Sequence, residues 1–428
     1  MRVKNGGPLA GCLPTGAIEM VTMLKRSETD MDYGFGDEQL PHILQRLREA
    51  APIIREQAPL GERGRTPTEK VVAIIDDLKL WGIMVPRRWR GLGMSTTAMF
   101  EIMREIGRAD MSAAWVVQIL NGTGWIASLT SDEIQEELFG PGIPRISSGA
   151  TPPGVAVPVD GGYIVNGAWP YSSGSRQANW GQYGVALRCE DGSLKHGNMV
   201  YLKRSDFEIE NTWYTAGLQG TGSDTSVAKD VFVPKHRFVP VEKSFEYKDP
   251  DRRHFGAPSD YWPVTTLIRT TSAGMFVGAA EAMLELLKAQ VAVKPVVTTT
   301  HNPAASSQVV QMEIGAAAAK ISVARQTILG ATALLDATAI DRAALSLEER
   351  ARLKGEHAAA FELISASVEK MMHIAGSAAF MTKNDLQRFW RDIGVGSRHI
   401  AFLPQLGYEV YGRSLLGITP NVIPPGLY

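Results

Sequence analysis

The sequence predicts an α+β fold in three consecutive parts: a helical N-terminal domain, a small antiparallel β-barrel or sandwich, and a C-terminal four-helix bundle. Apolar residues recur at helical spacing from Asp37 to Phe139. Near Pro141 the chain becomes rich in Val, Tyr and Thr, with glycine turns between short β-type runs. From Ala304 to Leu403 there is no proline, so long helices meet no built-in break.

At 428 residues the chain is longer than one hydrophobic core usually organises. The expected division is a poorly ordered extension over 1–30, the helical domain over 31–140, the β domain over 141–245 and the bundle over 246–428. Met20, Met23 and Met31 are further possible starts within or just after that extension. Lys plus Arg number 44 against 45 Asp plus Glu, which leaves no net field to gather nucleic acid or an anionic membrane surface. Two cysteines, Cys12 and Cys189, make neither a disulfide framework nor a four-ligand zinc site. No apolar run reaches the ~18 residues of a membrane span, and Met1 to Met20 lacks a secretory hydrophobic core. A cytoplasmic protein is expected.

In the first part Val71, Ile74, Leu78 and Trp81 share a helix face, and Met99, Ile102 and Ile106 do so after Ser95, a suitable N-cap. Met111 to Leu129 is apolar on most faces, as a buried helix is, and includes Trp115 and Trp125. In the β part, Asp160-Gly161-Gly162, Glu190-Asp191-Gly192 and Gly217 to Ser223 separate runs such as Tyr183 to Arg188 and Asn198 to Lys203. Gly217 to Ser223 has neither a Gly-Lys-Ser/Thr ending nor GxGxxG spacing, so it reads as a tight turn between strands. In the bundle Val310, Ile314, Ala317, Ile321, Ala324, Ile328, Ala331 and Leu335 alternate steps of four and three, a packing seam. Phe361, Ile364, Val368 and Met371 repeat it on a second helix, which Ser346 and Glu349 open with a capping box. None of the eight histidines follows a Glu at the spacing of a di-iron bundle site.

The stretch richest in chemistry is Tyr163 to Trp180. It reads as a strand through Val165, a turn at Asn166-Gly167, and then Trp169, Tyr171, Ser172, Ser173 and Ser175 in close succession. Flat aromatic area with hydroxyls nearby suits a planar aromatic ligand; an edge strand followed by a polar loop is the other reading.

Three segments together resemble the acyl-CoA dehydrogenase superfamily. They are Val165 to Gly174, Gly217 to Pro234, and His373 to Phe380 continuing into Asn384 to Asp392. The resemblance implies that superfamily's helical, β, helical fold. It also exposes a departure, because dehydrogenases carry a Glu shortly after the Arg-Asp pair, where this chain reads Ile393-Gly-Val-Gly-Ser-Arg-His399-Ile400. The other place known for that base, the first long bundle helix, has no acid between Asp260 and Glu281. Removing an α-proton needs a positioned base, a role contributing ~10²- to 10⁴-fold.

Ser172-Ser173-Gly174 with Arg391-Asp392 and His399 is instead similar to the group D two-component flavin-dependent monooxygenases, such as the oxygenase component of 4-hydroxyphenylacetate hydroxylase. That resemblance implies a separate reductase supplying reduced flavin, a C4a-hydroperoxyflavin formed with O₂, and hydroxylation of a phenolic or polycyclic aromatic substrate. It places Ser173 at flavin N5, Trp169 and Tyr171 beside the ring, Ser172 and Gly174 in the same loop, Thr151 at the pyrimidine side, and His399 near the reacting centre. Substrate would lie near Asn121, Trp125 and Ser148. The Arg-x-x-Phe-Gly segment that holds the FAD diphosphate in dehydrogenases is replaced by Thr298-Thr-Thr-His-Asn-Pro303, which favours reduced FMN over reduced FAD. A homotetramer is implied. The alternatives are oxygenation at nitrogen or sulfur, a dehydrogenase with another base, and a non-enzymatic interaction module.

Overall fold

The computed structural model describes residues 34–241, 256–419 and 422–423. The expected extension over 1–30, with Cys12, lies outside the described residues, as does part of Asp249 to Trp262, a polar, aromatic stretch expected to link the β domain to the bundle. Helices α1 (Leu40–Gly64), α2 (Glu69–Asp77), α3 (Thr96–Gly107), α4 (Met111–Ala127) and α5 (Asp132–Phe139) come first. Strands β1 (Ile146–Val159), β2 (Gly162–Trp169), β3 (Trp180–Arg188), β4 (Leu194–Lys203), β5 (Glu208–Glu210), β6 (Thr225–Pro234) and β7 (Phe238–Pro240) follow. Helices α6 (Val264–Val291), α7 (Gln308–Ile340), α8 (Leu347–Ala375), α9 (Asp385–Gly396) and α10 (Pro404–Leu415) complete the chain.

Local chemistry accounts for most of these boundaries. Ser95 Oγ accepts the Ala98 N–H at 3.0 Å and opens α3. At α8, Ser346 Oγ accepts Glu349 N–H at 3.1 Å and the Glu349 carboxylate returns the bond to Ser346 N–H at 3.0 Å. The seam of α7 is buried from Ala317 to Leu335, with Val310 and Ile314 half-buried at its start. One expectation fails: Leu78 and Trp81 do not continue α2, which ends at Asp77 before Lys79 turns left-handed at φ 56°. Both still reach the core, from the turn beyond the helix.

The sheet order is β5-β6-β2-β1-β3-β4-β7. It is not wholly antiparallel, as expected, because β1 and β3 run parallel. The chain leaves β2 on one side of β1, crosses, and re-enters on the other side, so β3 takes the direction of β1. Asn166-Gly167 is likewise no turn. Strand β2 passes through it to Trp169 with a register shift against β6, and Asn166 exchanges hydrogen bonds with Asp230 of that strand at 2.9 and 3.0 Å.

The two helical parts share one hydrophobic core rather than meeting at a polar seam. Helix α3 lies along α6, and the contact is between backbones. A β-carbon on Gly274 would fall on the Phe100 carbonyl oxygen, and one on Gly278 on the Arg104 carbonyl. Beside it Arg104 binds Glu281 at 2.8 Å and Glu101 at 3.0 Å. Gly278→Ala is therefore expected to force α3 and α6 apart and cost about 1–3 kcal/mol. A urea midpoint equal to wild type would show that the helices separate freely.

Candidate active site

The connection from Trp169 to Trp180 carries the loop hydroxyls, and Asp224 pins it. The Asp224 carbonyl accepts Ser172 N–H at 3.0 Å, while its buried carboxylate accepts Thr212 and Trp213 N–H at 3.0 Å each and Arg176 at 2.8 and 3.0 Å. The loop is thereby fixed to the start of β6. Within it Tyr171 adopts a left-handed φ of 60°, which a non-glycine residue holds only when its surroundings insist. That conformation turns its ring outward, 70% exposed and edge-on to Trp213 at 5.7 Å.

Ser173 points the other way, into the protein. Its Oγ lies 2.6 Å from Ser223 Oγ and accepts the Trp115 indole N–H at 3.1 Å. Trp115 comes from α4, so the bond ties the β domain to the N-terminal helices. The same indole also meets the C-terminal part of the chain, with the His399 ring edge-on at 5.7 Å and Phe402 at 6.3 Å. Ser173 and His399, far apart in sequence, thus contact one tryptophan.

His399 is exposed to solvent and has Trp115 and Phe402 against its ring. Packing against Trp115 and Phe402 lowers its pKa from the ordinary imidazole value by desolvation, which favours the neutral ring. Its Nδ1 accepts the Ala401 N–H at 3.2 Å, which puts the proton of the neutral ring on Nε2. His399 therefore presents an N–H donor.

Ser148, half-buried, and Thr151, exposed, both lie on β1, the latter in the outward bulge between Gly149 and Gly154. That strand runs close to the loop: a β-carbon on Gly149 would stand 3.3 Å from Ser172 Oγ. Ser172 itself bonds back to the Trp169 carbonyl at 2.8 Å, and Gly174 N–H to the Thr221 carbonyl at 3.1 Å.

Three expected site residues are elsewhere. Trp169 has no exposed surface; it stacks on Tyr183 at 4.4 Å and donates its indole N–H to the Gly184 carbonyl at 2.8 Å. As the end of β2 rather than part of a loop, it faces the sheet core and offers no face to a ligand. Asn121, also fully buried, donates to the Leu80 and Val117 carbonyls at 2.6 and 2.9 Å and fastens α4 to the turn after α2. Trp125 is spent in the same way, its indole bonded to the Ser259 carbonyl at 3.1 Å and its ring against Trp262.

Further groups have partners that the sequence does not show. Asp392 of α9, fully buried, accepts the Leu218 N–H at 2.6 Å through Oδ1, joining the bundle to the Gly217–Ser223 turn. Arg391 beside it bonds the Ala216 carbonyl and Glu62. Burial pushes the Asp392 carboxyl up to about 7 against the opposing pull of Leu218 N–H and Arg388. Between α6 and α8 a buried cationic group, Arg269, Lys354 and His357, has no carboxylate bonded to it among the described residues. Burial, with the Arg269 charge, brings Lys354 down to about 7 and His357 to about 3. The buried cationic group has no signature short enough in sequence to show before folding.

With this geometry in view, the chain matches the acyl-CoA dehydrogenase N-terminal domain over residues 47–144 and the C-terminal domain over 270–404. It is 30% identical over 380 residues to the flavin-dependent monooxygenase, oxygenase subunit HsaA of Mycobacterium tuberculosis, covering 89% of this chain and 96% of that one. The FADH(2)-dependent resorcinol hydroxylase, oxygenase component, of a Rhizobium species is 26% identical over 392 residues, 89% of this chain and 96% of that protein. Among solved structures, XiaF from a Streptomyces species in complex with FADH2 and glycerol superposes with a TM-score of 0.86 at 26% identity, over 91% of this chain and 98% of that one. The chain belongs to the acyl-CoA dehydrogenase superfamily, in its branch of flavin-dependent monooxygenase oxygenase components.

The raised pKa of Asp392 carries a stability prediction. Its ordinary value is 3.8, so between roughly pH 4 and 7 the folded protein holds a proton that the unfolded chain has lost. The contribution is full below about pH 4 and vanishes as pH rises through about 7. Wild type is expected to lose on the order of 1–3 kcal/mol relative to Asp392→Asn between pH 5 and pH 8, read by urea denaturation. Parallel pH profiles would show that Asp392 is ionised throughout.

Proposed function

We propose that this oxygenase component hydroxylates an electron-rich aromatic compound, phenolic or polycyclic, with Ser173 and His399, both against Trp115, facing the reacting region. The contact of that one indole with both groups carries the reading. The names of relatives point to the same substrate class: resorcinol hydroxylase, p-hydroxyphenylacetate 3-hydroxylase and indole-3-acetate monooxygenase.

The residues present fit a reduced flavin. Ser173 retains a lone pair after its bonds to Trp115 and Ser223, Tyr171 offers an open ring face, and Thr151, Ser172 and Gly174 stand in adjoining segments. Ser148, on the same strand as Thr151, is the remaining substrate-side candidate. Flavin, when bound, supplies the activation of O₂. The chain's task is to hold it, exclude water, and donate a hydrogen bond from His399 Nε2 to the oxygen being transferred. The tautomer makes His399 a donor to oxygen rather than a base toward substrate.

Reduced flavin arrives from a separate reductase, and the enzyme works in the cytoplasm as a homotetramer. Support for assembly comes from α7, where Val309, Met312 and Val323 are 67%, 74% and 55% exposed in the single chain.

His399→Ala should lower product per O₂ consumed by about tenfold or more, with the remainder released as H₂O₂, while His399→Gln, which keeps a donor, should recover much of the yield. Equal coupling in wild type and the Ala variant would make His399 structural.

The Thr298–Pro303 stretch has no Arg to meet a diphosphate, so reduced FMN is expected to bind at least as tightly as reduced FAD in anaerobic titrations. FADH2 is the form named with XiaF and with the resorcinol hydroxylase. A tenfold preference for it here, about 1.4 kcal/mol, would mean that another group holds the diphosphate.

A further inference from the structure

We propose that a chain of hydroxyls through Ser223 and Thr221 to the Leu218 carbonyl holds Ser173 as a pure hydrogen-bond acceptor, and that this makes the site select reduced over oxidised flavin. The inference rests on the proposed function, with Ser173 at flavin N5 as the resemblance implies.

Counting protons leads to it. Three oxygen–oxygen contacts run in series: Leu218 carbonyl to Thr221 Oγ1 at 2.8 Å, Thr221 Oγ1 to Ser223 Oγ at 2.7 Å, and Ser223 Oγ to Ser173 Oγ at 2.6 Å. Two oxygens that close repel unless a proton lies between them. The carbonyl has none to give, so the three contacts consume the three hydroxyl protons, one each. Thr221 donates to Leu218, Ser223 to Thr221, and Ser173 to Ser223. The far side of Ser173 Oγ takes the Trp115 N–H at 3.1 Å. What is left on Ser173 is a lone pair.

The arrangement is protected from competing water and from rotation. Thr221, Ser223 and Ser173 are 1%, 3% and 7% exposed, so no hydroxyl can turn to solvent for another partner. The anchoring residue is itself held: Leu218 N–H by Asp392 at 2.6 Å, and its carbonyl by the Trp213 indole at 2.8 Å as well.

Flavin N5 changes hydrogen-bonding sense with redox state. Reduced flavin carries a hydrogen on N5, whereas oxidised flavin offers a lone pair there. A Ser173 free to rotate would serve both forms. A Ser173 whose proton is tied to Ser223 accepts from the reduced form and opposes the oxidised one, so that spent flavin leaves and fresh reduced flavin is taken up.

The test is the ratio of dissociation constants for oxidised and reduced flavin, measured by titration of the intact protein, the reduced form anaerobically. Ser223→Ala and Thr221→Val each free the Ser173 proton and should lower that ratio by about fivefold or more, with tighter oxidised-flavin binding, while Thr221→Ser should keep the wild-type ratio. Ser173→Ala should also lower the ratio, and adding Ser223→Ala to it should change nothing further. If Ser173→Ala leaves the ratio unchanged, the placement at N5 is wrong and this inference falls with it. If Ser173→Ala lowers the ratio but Ser223→Ala and Thr221→Val do not, the placement stands and the hydroxyl chain is not what orients Ser173. A Thr221→Ser ratio as low as that of Thr221→Val would assign the effect to packing and overturn the proposal. The indole N–H proton signal of Trp115 in flavin-free protein, held in place in Ser223→Ala and moved in Ser173→Ala, shows that the variants keep the local fold.

Discussion

The backbone contact between α3 and α6 is the constraint on which the rest is hung. Gly274 and Gly278 let the two helices touch without side chains between them, and one apolar core then runs from the N-terminal helices into the bundle. Helix α4 is drawn into that core on nearly every face, which fixes Trp115 in one position. Only because it is fixed can its N–H reach the β domain while its ring meets the end of α9 and the turn after it. A looser contact would leave Ser173 and His399 on parts of the molecule free to shift relative to each other.

What could be read from the sequence was local or periodic. The N-cap at Ser95, the capping box at Ser346 and Glu349, and the seam of α7 each follow from residues within a few turns of one another, and each is present. What could not be read depended on a distant partner. Asn166-Gly167 has the composition of a turn, but Asp230 on β6 supplies bonds that keep the strand extended. Trp169 looked like part of a binding loop, because nothing nearby in sequence announces Tyr183 as its stacking partner. Asn121 and Trp125 misled for the same reason: buried polar groups on an apolar helix resemble site residues until their backbone acceptors are known. His399 was accessible from its motif, yet its tautomer depends on a single backbone N–H two residues on.

Charge is distributed unevenly around this frame. Where the bundle meets the β domain, Asp392, Arg388 and Asp110 form a buried group of mixed sign, and Asp392 holds the turn that carries Ser223. Where α6 meets α8, the buried group is all of one sign. Burying a cation without a counter-charge is costly, and the lowered pKa of Lys354 is how the fold limits that cost. Two of the three members stand near deprotonation or beyond it at pH 7, so Arg269 carries most of the remaining charge.

The absence of an acid at either dehydrogenase position and the hydroxyl chain at Ser173 belong to one chemical logic. A carboxylate close to the flavin would attract protons and alter its charge balance with every change of protonation state. Serine, threonine and neutral histidine bring no net charge, and their directions are set by backbone groups: Leu218 carbonyl at one end and Ala401 N–H at the other. Fixed dipoles of known sense need no reorganisation when charge moves on a bound ligand, which is the condition for electrostatic stabilisation. The β domain supplies the acceptor, the bundle supplies the donor, and Trp115 from the N-terminal helices sets the distance between them.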